Sequence, residues 1–269
     1  MKLTRLMLAL VFAGCIPQEP LESSEGESDS EELQGARPRF IHVGGICSTD
    51  WTTGKKTGVP LGQWSDVDSI DAKIDQRSSM AQAVFDLKSE LDRSCTDENW
   101  CYLHGYSNGA AVISKTLSTY EEERWNILWV LTTASNEGGS ELSGGSLSQL
   151  GDTLGLSCGL AAKISPTDHR SAWNHDDTNG AIFYSIGGYN EWWYTGSVPD
   201  FFNNDANDGA VAAHSSAGLN DTYSVPDADP WMCFDPKQHF ANHQGAFECA
   251  GYDADHFQMA SQGIEVLGG

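Results

Sequence analysis

Apolar and polar residues along the chain change period several times, and each change marks an element. Arg39 to Val43 is a short apolar run ending at Gly44 and Gly45, which reads as a strand leading into a place where backbone can approach a ligand. From Ser78 to Leu91 the apolar positions Met80, Val84, Leu87 and Leu91 fall at helical spacing, with serines at the start to cap the first turn. Trp100 to Gly105 reads as a buried strand with Cys101 and Leu103 on one face, and Ala110 to Leu117 as a helix. Ile127 to Ala134 and Ala181 to Ile186 are two further strands, and Phe257 to Leu267 closes the chain as a helix. Strands alternating with helices predict an α/β fold with a mostly parallel central sheet and helices on both faces. Between Asn136 and Asn174 glycine and serine dominate and periodicity is weak, so this stretch is either a lid or an ordinary insertion with short helices.

The N-terminus follows a different pattern. Lys2 and Arg5 precede an apolar run from Leu6 to Ala13, then Gly14 and Cys15. The run is too short to cross a hydrocarbon core, which takes about 20 residues, and it reads as a signal peptide over residues 1–15. Phe12, Ala13, Gly14 and Cys15 resemble a bacterial lipobox, which implies lipidation at Cys15; an ordinary secretory signal cut nearby is the alternative. Ile16 is not the aspartate that retains lipoproteins at the inner membrane, so the resemblance implies an outer-membrane address. Residues 16–35 hold seven acidic side chains, four serines and no basic residue, which describes a disordered, solvated linker. Residues 36–269 then have the length of a single domain. The lipid anchor is the only membrane contact expected, and the pattern leaves oligomeric state open.

Charge and cysteine usage narrow the function. The chain has 15 Lys plus Arg against 38 Asp plus Glu, a net charge of −23, which disfavours nucleic acid and polyanionic substrates and says little about a neutral ester. Apart from Cys15 there are six cysteines, an even count that suggests three disulfides in an exported protein. Spacing favours Cys95 with Cys101 and Cys233 with Cys249, leaving Cys47 with Cys158. No C-x-x-C pair supports a zinc cage, and the acidic segments NNDAND and HDDTNG lack EF-hand spacing, so neither metal nor cofactor is expected.

The chemistry concentrates at Gly105, Tyr106, Ser107, Asn108, Gly109, which stands between a strand and a helix. That context makes the pentapeptide a nucleophile elbow: the serine occupies a strained turn, and Gly105, Gly109 and Ala110 are small enough for close packing around it. A serine hydroxyl needs a base and a carboxylate to orient that base, and in α/β-hydrolases they follow in the order Ser, Asp or Glu, His. Asp208, in the loop NDGAV, and His256, at a junction between loop and helix, fit that order. Asp205 competes for the carboxylate; His214, His239 and His243 compete for the base; His104 reads as a packed strand residue.

At these segments the chain resembles the α/β-hydrolase lipases of the Pseudomonas and Burkholderia type. Phe40 to Gly45 is similar to the family's oxyanion-hole strand, Gly105 to Gly109 to its elbow, Leu131 to Leu142 to the segment after the elbow helix, and Asn207 to Gly218 to its catalytic-aspartate loop. The resemblance implies an α/β-hydrolase fold, with Ser107 as nucleophile, Asp208 as orienter and His256 as base. It also implies an oxyanion hole from the N–H of Asn108 and that of Gly45 or Ile46. The chain departs from the family at His42, Val43, Gly44, Gly45, where His and Gly usually follow the strand directly, and at Asn136 to Gly139, where a different local surface is expected. It departs again at Gln258, which stands where the family has an acidic calcium ligand, so no calcium is carried over.

Trp192 and Trp193, with Tyr194, Phe201 and Phe202, either line an apolar acyl pocket or pack in the core; Tyr106 joins the two tryptophans as an expected substrate contact. These readings point to a carboxylic ester hydrolase, a lipase or esterase working through an acyl-enzyme. A polyester depolymerase of the cutinase kind would share the machinery. A surface binding module that kept the fold without the chemistry is the rival from another class, and an amidase or peptidase is a third.

Overall fold

The period-two alternation in the apolar runs is what builds the sheet. The computed structural model describes residues 38–50, 67–120, 125–143, 158–190, 207–216, 218, 240–244 and 251–266, all within one compact unit, Ala36–Gly269. In chain order these residues form β1 (Arg39–Val43), β2 (Asp68–Asp71), α1 (Met80–Ser94), β3 (Cys101–Tyr106), α2 (Asn108–Thr119), β4 (Ile127–Thr133), α3 (Pro166–His169), β5 (Ile182–Gly188), α4 (Ala213–Ser216), β6 (His243–Gln244), β7 (Gly251–Tyr252) and α5 (His256–Val266). Among the described residues the sheet has seven strands in the order β2-β1-β3-β4-β5-β6, with β7 beside the C-terminal end of β5. Every pairing is parallel.

Alternation divides the strands between two apolar layers. Ile41, Val43, Leu103, Val130 and Phe183 point to one face, where Leu87 and Leu91 of α1 and Val112, Ile113 and Leu117 of α2 cover them. Phe40, Leu131 and Ile186 point to the other face and pack with Ala254 and with Met259 of α5. A sheet whose strands are buried on both faces is the arrangement the sequence pattern predicts.

Three strands were not predicted. β2 reads Asp-Ser-Ile-Asp and is held to β1 through backbone. β6 and β7 have two residues each, too few to show a period. α5 begins at His256, one residue before the predicted start. The structure pairs Cys47 with Cys158 and Cys95 with Cys101, while Cys233, Cys249, Cys15, the signal segment and the linker lie outside the described residues.

Candidate active site

β3 ends at Tyr106 and α2 begins at Asn108, so Ser107 alone makes the turn between them. Its backbone sits at φ 55°, ψ −125°, a conformation that costs an L-residue about 1–3 kcal/mol and persists only when its surroundings hold it. The Ser107 N–H donates to the Thr133 carbonyl at 2.9 Å, which fastens the elbow to the end of β4. A Cβ on Gly105 would lie 2.7 Å from Ala110 Cα, and one on Gly109 would overlap the carbonyl oxygens of Val43 and Gly44. The elbow thus sits directly against the loop after β1. Gly109→Ala is expected to destabilise the protein by about 3 kcal/mol or more, beyond a typical overpacking cost, because both obstacles are backbone. Gly159→Ala, where a new Cβ meets only ordinary contacts, should change stability by less than about 0.5 kcal/mol; urea midpoints for the two variants check the contrast.

Three side chains from distant segments meet at the elbow. Ser107 Oγ lies 2.9 Å from His256 Nε2, and His256 Nδ1 lies 2.8 Å from Asp208 Oδ2. Asp208 is fully buried; its Oδ1 accepts the backbone N–H of Ala210 at 3.0 Å and of Val211 at 2.8 Å. A carboxylate can only accept, so Nδ1 of His256 carries the proton and Nε2 turns its lone pair to the serine. The turn that presents Asp208 is closed by a bridge between Asn207 and Ala212, with Gly209 at φ 93°. His256 opens α5, and Asp255 and Gln258 bond reciprocally there. The N–H of Gln258 donates to Asp255 Oδ1 at 2.9 Å and that of Asp255 to Gln258 Oε1 at 3.0 Å. This capping arrangement satisfies two backbone donors and sets where the helix begins. In the sequence this D-x-x-Q pattern is a helix-start signal.

On the other side of Ser107 lies the loop after β1. A Cβ on Gly45 would lie 3.2 Å from Ser107 Cβ and 3.1 Å from Tyr106 Cε1, so Gly45 is against Ser107. Ile46 packs with Leu142, Leu160, Ile164 and Ala212. Asn108 is the first residue of α2, where backbone N–H groups lack intrahelical acceptors and the helix dipole favours negative charge. Tyr106, expected as a substrate contact, donates its hydroxyl to the His256 carbonyl at 2.9 Å, with the two rings 5.2 Å apart. Burial, with the charges of Asp208 and Asp255, holds its phenol well above the ordinary tyrosine range. It therefore braces the imidazole segment. Gln76, which no sequence signal picked out, is fully buried between this loop and Asn108.

The competing histidines are placed elsewhere. His243 Nε2 is 3.1 Å from Glu137 Oε2, both buried, and His214 Nε2 is 3.1 Å from Glu141 Oε1. His104 packs in the sheet, 3.2 Å from His42 through their Nδ1 atoms and 2.8 Å from Thr133 Oγ1. Burial lowers His42 to about 4; His104 is pushed well below its ordinary value by burial and by His42. Asn136 and Glu137, expected to alter a surface, are interior: His169 Nδ1 meets the Asn136 carbonyl at 2.8 Å, and the Asn136 N–H faces the Ser107 carbonyl at 3.4 Å. They are buried rather than at the surface because the fold brings His169 to the Asn136 carbonyl and His243 to the Glu137 carboxylate. Trp192, Trp193, Asp205 and His239 lie outside the described residues.

In sequence the chain stands apart: no protein-family model matches it, and no curated protein does. Solved structures do match in shape. A lipase of Bacillus licheniformis in its mature form aligns over 87% of this chain and 90% of its own, with a TM-score of 0.57 at 16% identity. A metagenomic carboxyl esterase aligns over 94% and 79%, with a TM-score of 0.53 at 14% identity. EstA of Clostridium botulinum aligns over 87% of both chains, with a TM-score of 0.51 at 11% identity.

This is the α/β-hydrolase fold.

In the α/β-hydrolase fold the nucleophile stands on a turn between strand and helix, with the carboxylate and the histidine later in the chain. Ser107 stands on such a turn, between β3 and α2, and Asp208 and His256 follow it later in the chain.

Proposed function

We propose that this protein is an exported serine hydrolase that cleaves carboxylic esters through Ser107, His256 and Asp208. The observation that carries the reading is the continuous hydrogen-bonded path from buried Asp208 through His256 to Ser107 Oγ, with steps of 2.8 and 2.9 Å. Its neighbours in shape, a lipase and a carboxyl esterase, support carboxylic esters as the substrate class. The four segments described above support a nearer kinship with the Pseudomonas and Burkholderia lipases.

His256 Nε2 takes the proton of Ser107 as Oγ attacks the ester carbonyl carbon, and the carbonyl oxygen becomes an oxyanion held by backbone N–H groups. Collapse of this intermediate expels the alcohol, which leaves with the proton from His256, and the acyl group stays on Ser107. Water, deprotonated by the same imidazole, then attacks the acyl-enzyme and releases the carboxylic acid. Asp208 keeps the proton on Nδ1 and stabilises the imidazolium that forms in each half-reaction. The bond from Tyr106 to the His256 carbonyl supports that geometry.

Export is supported by the two disulfides, which persist in oxidising compartments. Among the described residues no helix is long and apolar enough to cross a membrane. A lipid on Cys15, with residues 16–35 as a tether, is the anchoring we propose.

A fluorophosphonate probe tests the chemistry. Incubated with the oxidised protein, it is expected to modify Ser107, located by peptide mapping, and to leave the His256→Ala protein unmodified. A folded protein that takes no label would count for a binding module on the same fold.

A further inference from the structure

We infer that Gln76 is a positioning residue for the oxyanion hole: its side-chain amide sets the direction of the Gly45 N–H and couples it to Asn108, the second donor. The inference rests on the ester-hydrolase reading above.

An oxyanion hole works only when its donors are held beforehand at the place where charge develops. Here the donors come from two segments far apart in sequence, and the first lies in a pair of glycines, whose peptide planes rotate more freely than those of other residues. Gln76 supplies what the glycines lack. Its Nε2 donates to the Gly44 carbonyl through a short hydrogen bond. The Gly44 C=O and the Gly45 N–H belong to one planar trans peptide and point in opposite directions. Fixing the carbonyl on Gln76 therefore aims the N–H away from it, and Gly45 lies against Ser107.

The other end of the same amide reaches the elbow. Gln76 Oε1 accepts from Asn108 Nδ2 at 2.8 Å. The orientation is forced: a carbonyl can only accept, so Nε2 must face Gly44 and Oε1 must face Asn108. Among the described residues Asn108 Oδ1 has no hydrogen-bond partner, so Gln76 is the polar anchor of that side chain. The Gln76 backbone serves the same loop. Its N–H donates to the Ser48 carbonyl at 2.9 Å, and its carbonyl accepts from the Cys47 N–H at 3.3 Å. All four polar atoms of this buried residue are thus spent on the loop after β1 or on the residue following the nucleophile. The disulfide from Cys47 to Cys158 and the bond from Ser48 Oγ to the Gly45 carbonyl, at 2.6 Å, close the loop on itself and on its neighbour. Neither reaches the elbow; the Gln76 amide does.

Two variants test this. Gln76→Leu removes both side-chain bonds, and Gln76→Glu keeps the volume and the acceptor for Asn108 while presenting an oxygen to the Gly44 carbonyl. Each is assayed with 4-nitrophenyl butyrate, active sites being counted with the fluorophosphonate so that misfolded protein does not enter kcat. Both should lose about 100-fold in kcat, the lower end of what removal of an oxyanion donor costs. KM should stay within about threefold, because the interaction operates in the transition state. Binding of an alkyl trifluoromethyl ketone, which adds to the serine and mimics the tetrahedral oxyanion, should weaken by the same factor as kcat. Unchanged kcat per active site in either variant overturns the inference. So does failure of both variants to fold, since Gln76 would then be a scaffold residue. Wild-type protein that neither hydrolyses the ester nor takes label at Ser107 overturns the parent reading instead.

Discussion

Ser107→Ala leaves a folded protein that has lost ester hydrolysis by roughly 10⁵-fold or more in kcat, and His256→Ala does the same. The two losses are alike because nucleophile and base act as one unit: without the imidazole 2.9 Å away, the hydroxyl keeps its proton. Asp208→Asn should cost less than either, on the order of 10⁴-fold. An amide at that position can present its N–H to Nδ1 of His256, which favours the tautomer whose proton faces Ser107. KM should change little in all three variants, since none removes a surface that binds the acyl chain. The Asp208 substitution also places an amide where two backbone donors, Ala210 and Val211, now find a carboxylate oxygen, so its stability should be measured alongside. The decisive comparison is kcat for 4-nitrophenyl butyrate with purified wild-type and Ser107→Ala protein; near-normal hydrolysis by the alanine variant would end the serine-hydrolase reading.

Stability falls steeply as pH drops from about 6.5 toward 4, in spite of a chain so acidic that protonation relieves its net charge of −23. The cause lies in buried histidines. Burial lowers His42, His169 and His175 from 6.5 to about 4, and His104 is held well below its ordinary value by burial and by His42. For each group the folded pKa is depressed, so the unfolded chain binds the proton first. The stability each contributes is present above 6.5 and is lost as pH falls toward the folded value. A shift of that size is worth about 3 kcal/mol per group once pH reaches about 4, against a total of about 5–15 kcal/mol for a typical domain.

His243 works in the opposite sense. Burial lowers it, but the Glu137 carboxylate outweighs burial and raises it on balance, so its contribution is greatest at low pH and fades as pH rises through the folded value. One such group does not offset four. Urea denaturation in about 0.3 M salt, which screens surface charge, should show the midpoint falling monotonically from pH 7 to 4.5. The decline should be shallower in His42→Gln, which cannot ionise. A midpoint that stays level across that range would refute this account.

Several elements escaped the sequence for physical reasons that differ. β2 carries no apolar period because its attachment is backbone pairing to β1, and backbone bonds leave no mark on side-chain pattern. Asn136 and Glu137 look like loop residues, yet they are interior because His169 and His243 arrive from 33 and 106 residues away to bond them. Gln258 stands where the resemblance would put an acid. Its role is to cap α5 together with Asp255, which the four-residue capping pattern D-x-x-Q signals. Gln76 had no local signal at all, since its importance lies wholly in which two segments its amide spans.

What the sequence by itself determined was local: the strands and helices with a clear period, the elbow between β3 and α2, and Ser107 as the residue on its turn. Small residues at Gly105 and Gly109 and the switch of period around them are properties of neighbours in the chain, so one sequence suffices to read them. Only the tertiary structure decided which imidazole and which carboxylate meet that serine. His256 lies 149 residues from Ser107 and 48 from Asp208, and bonds across such separations depend on how the parallel sheet brings loops from its strand ends together.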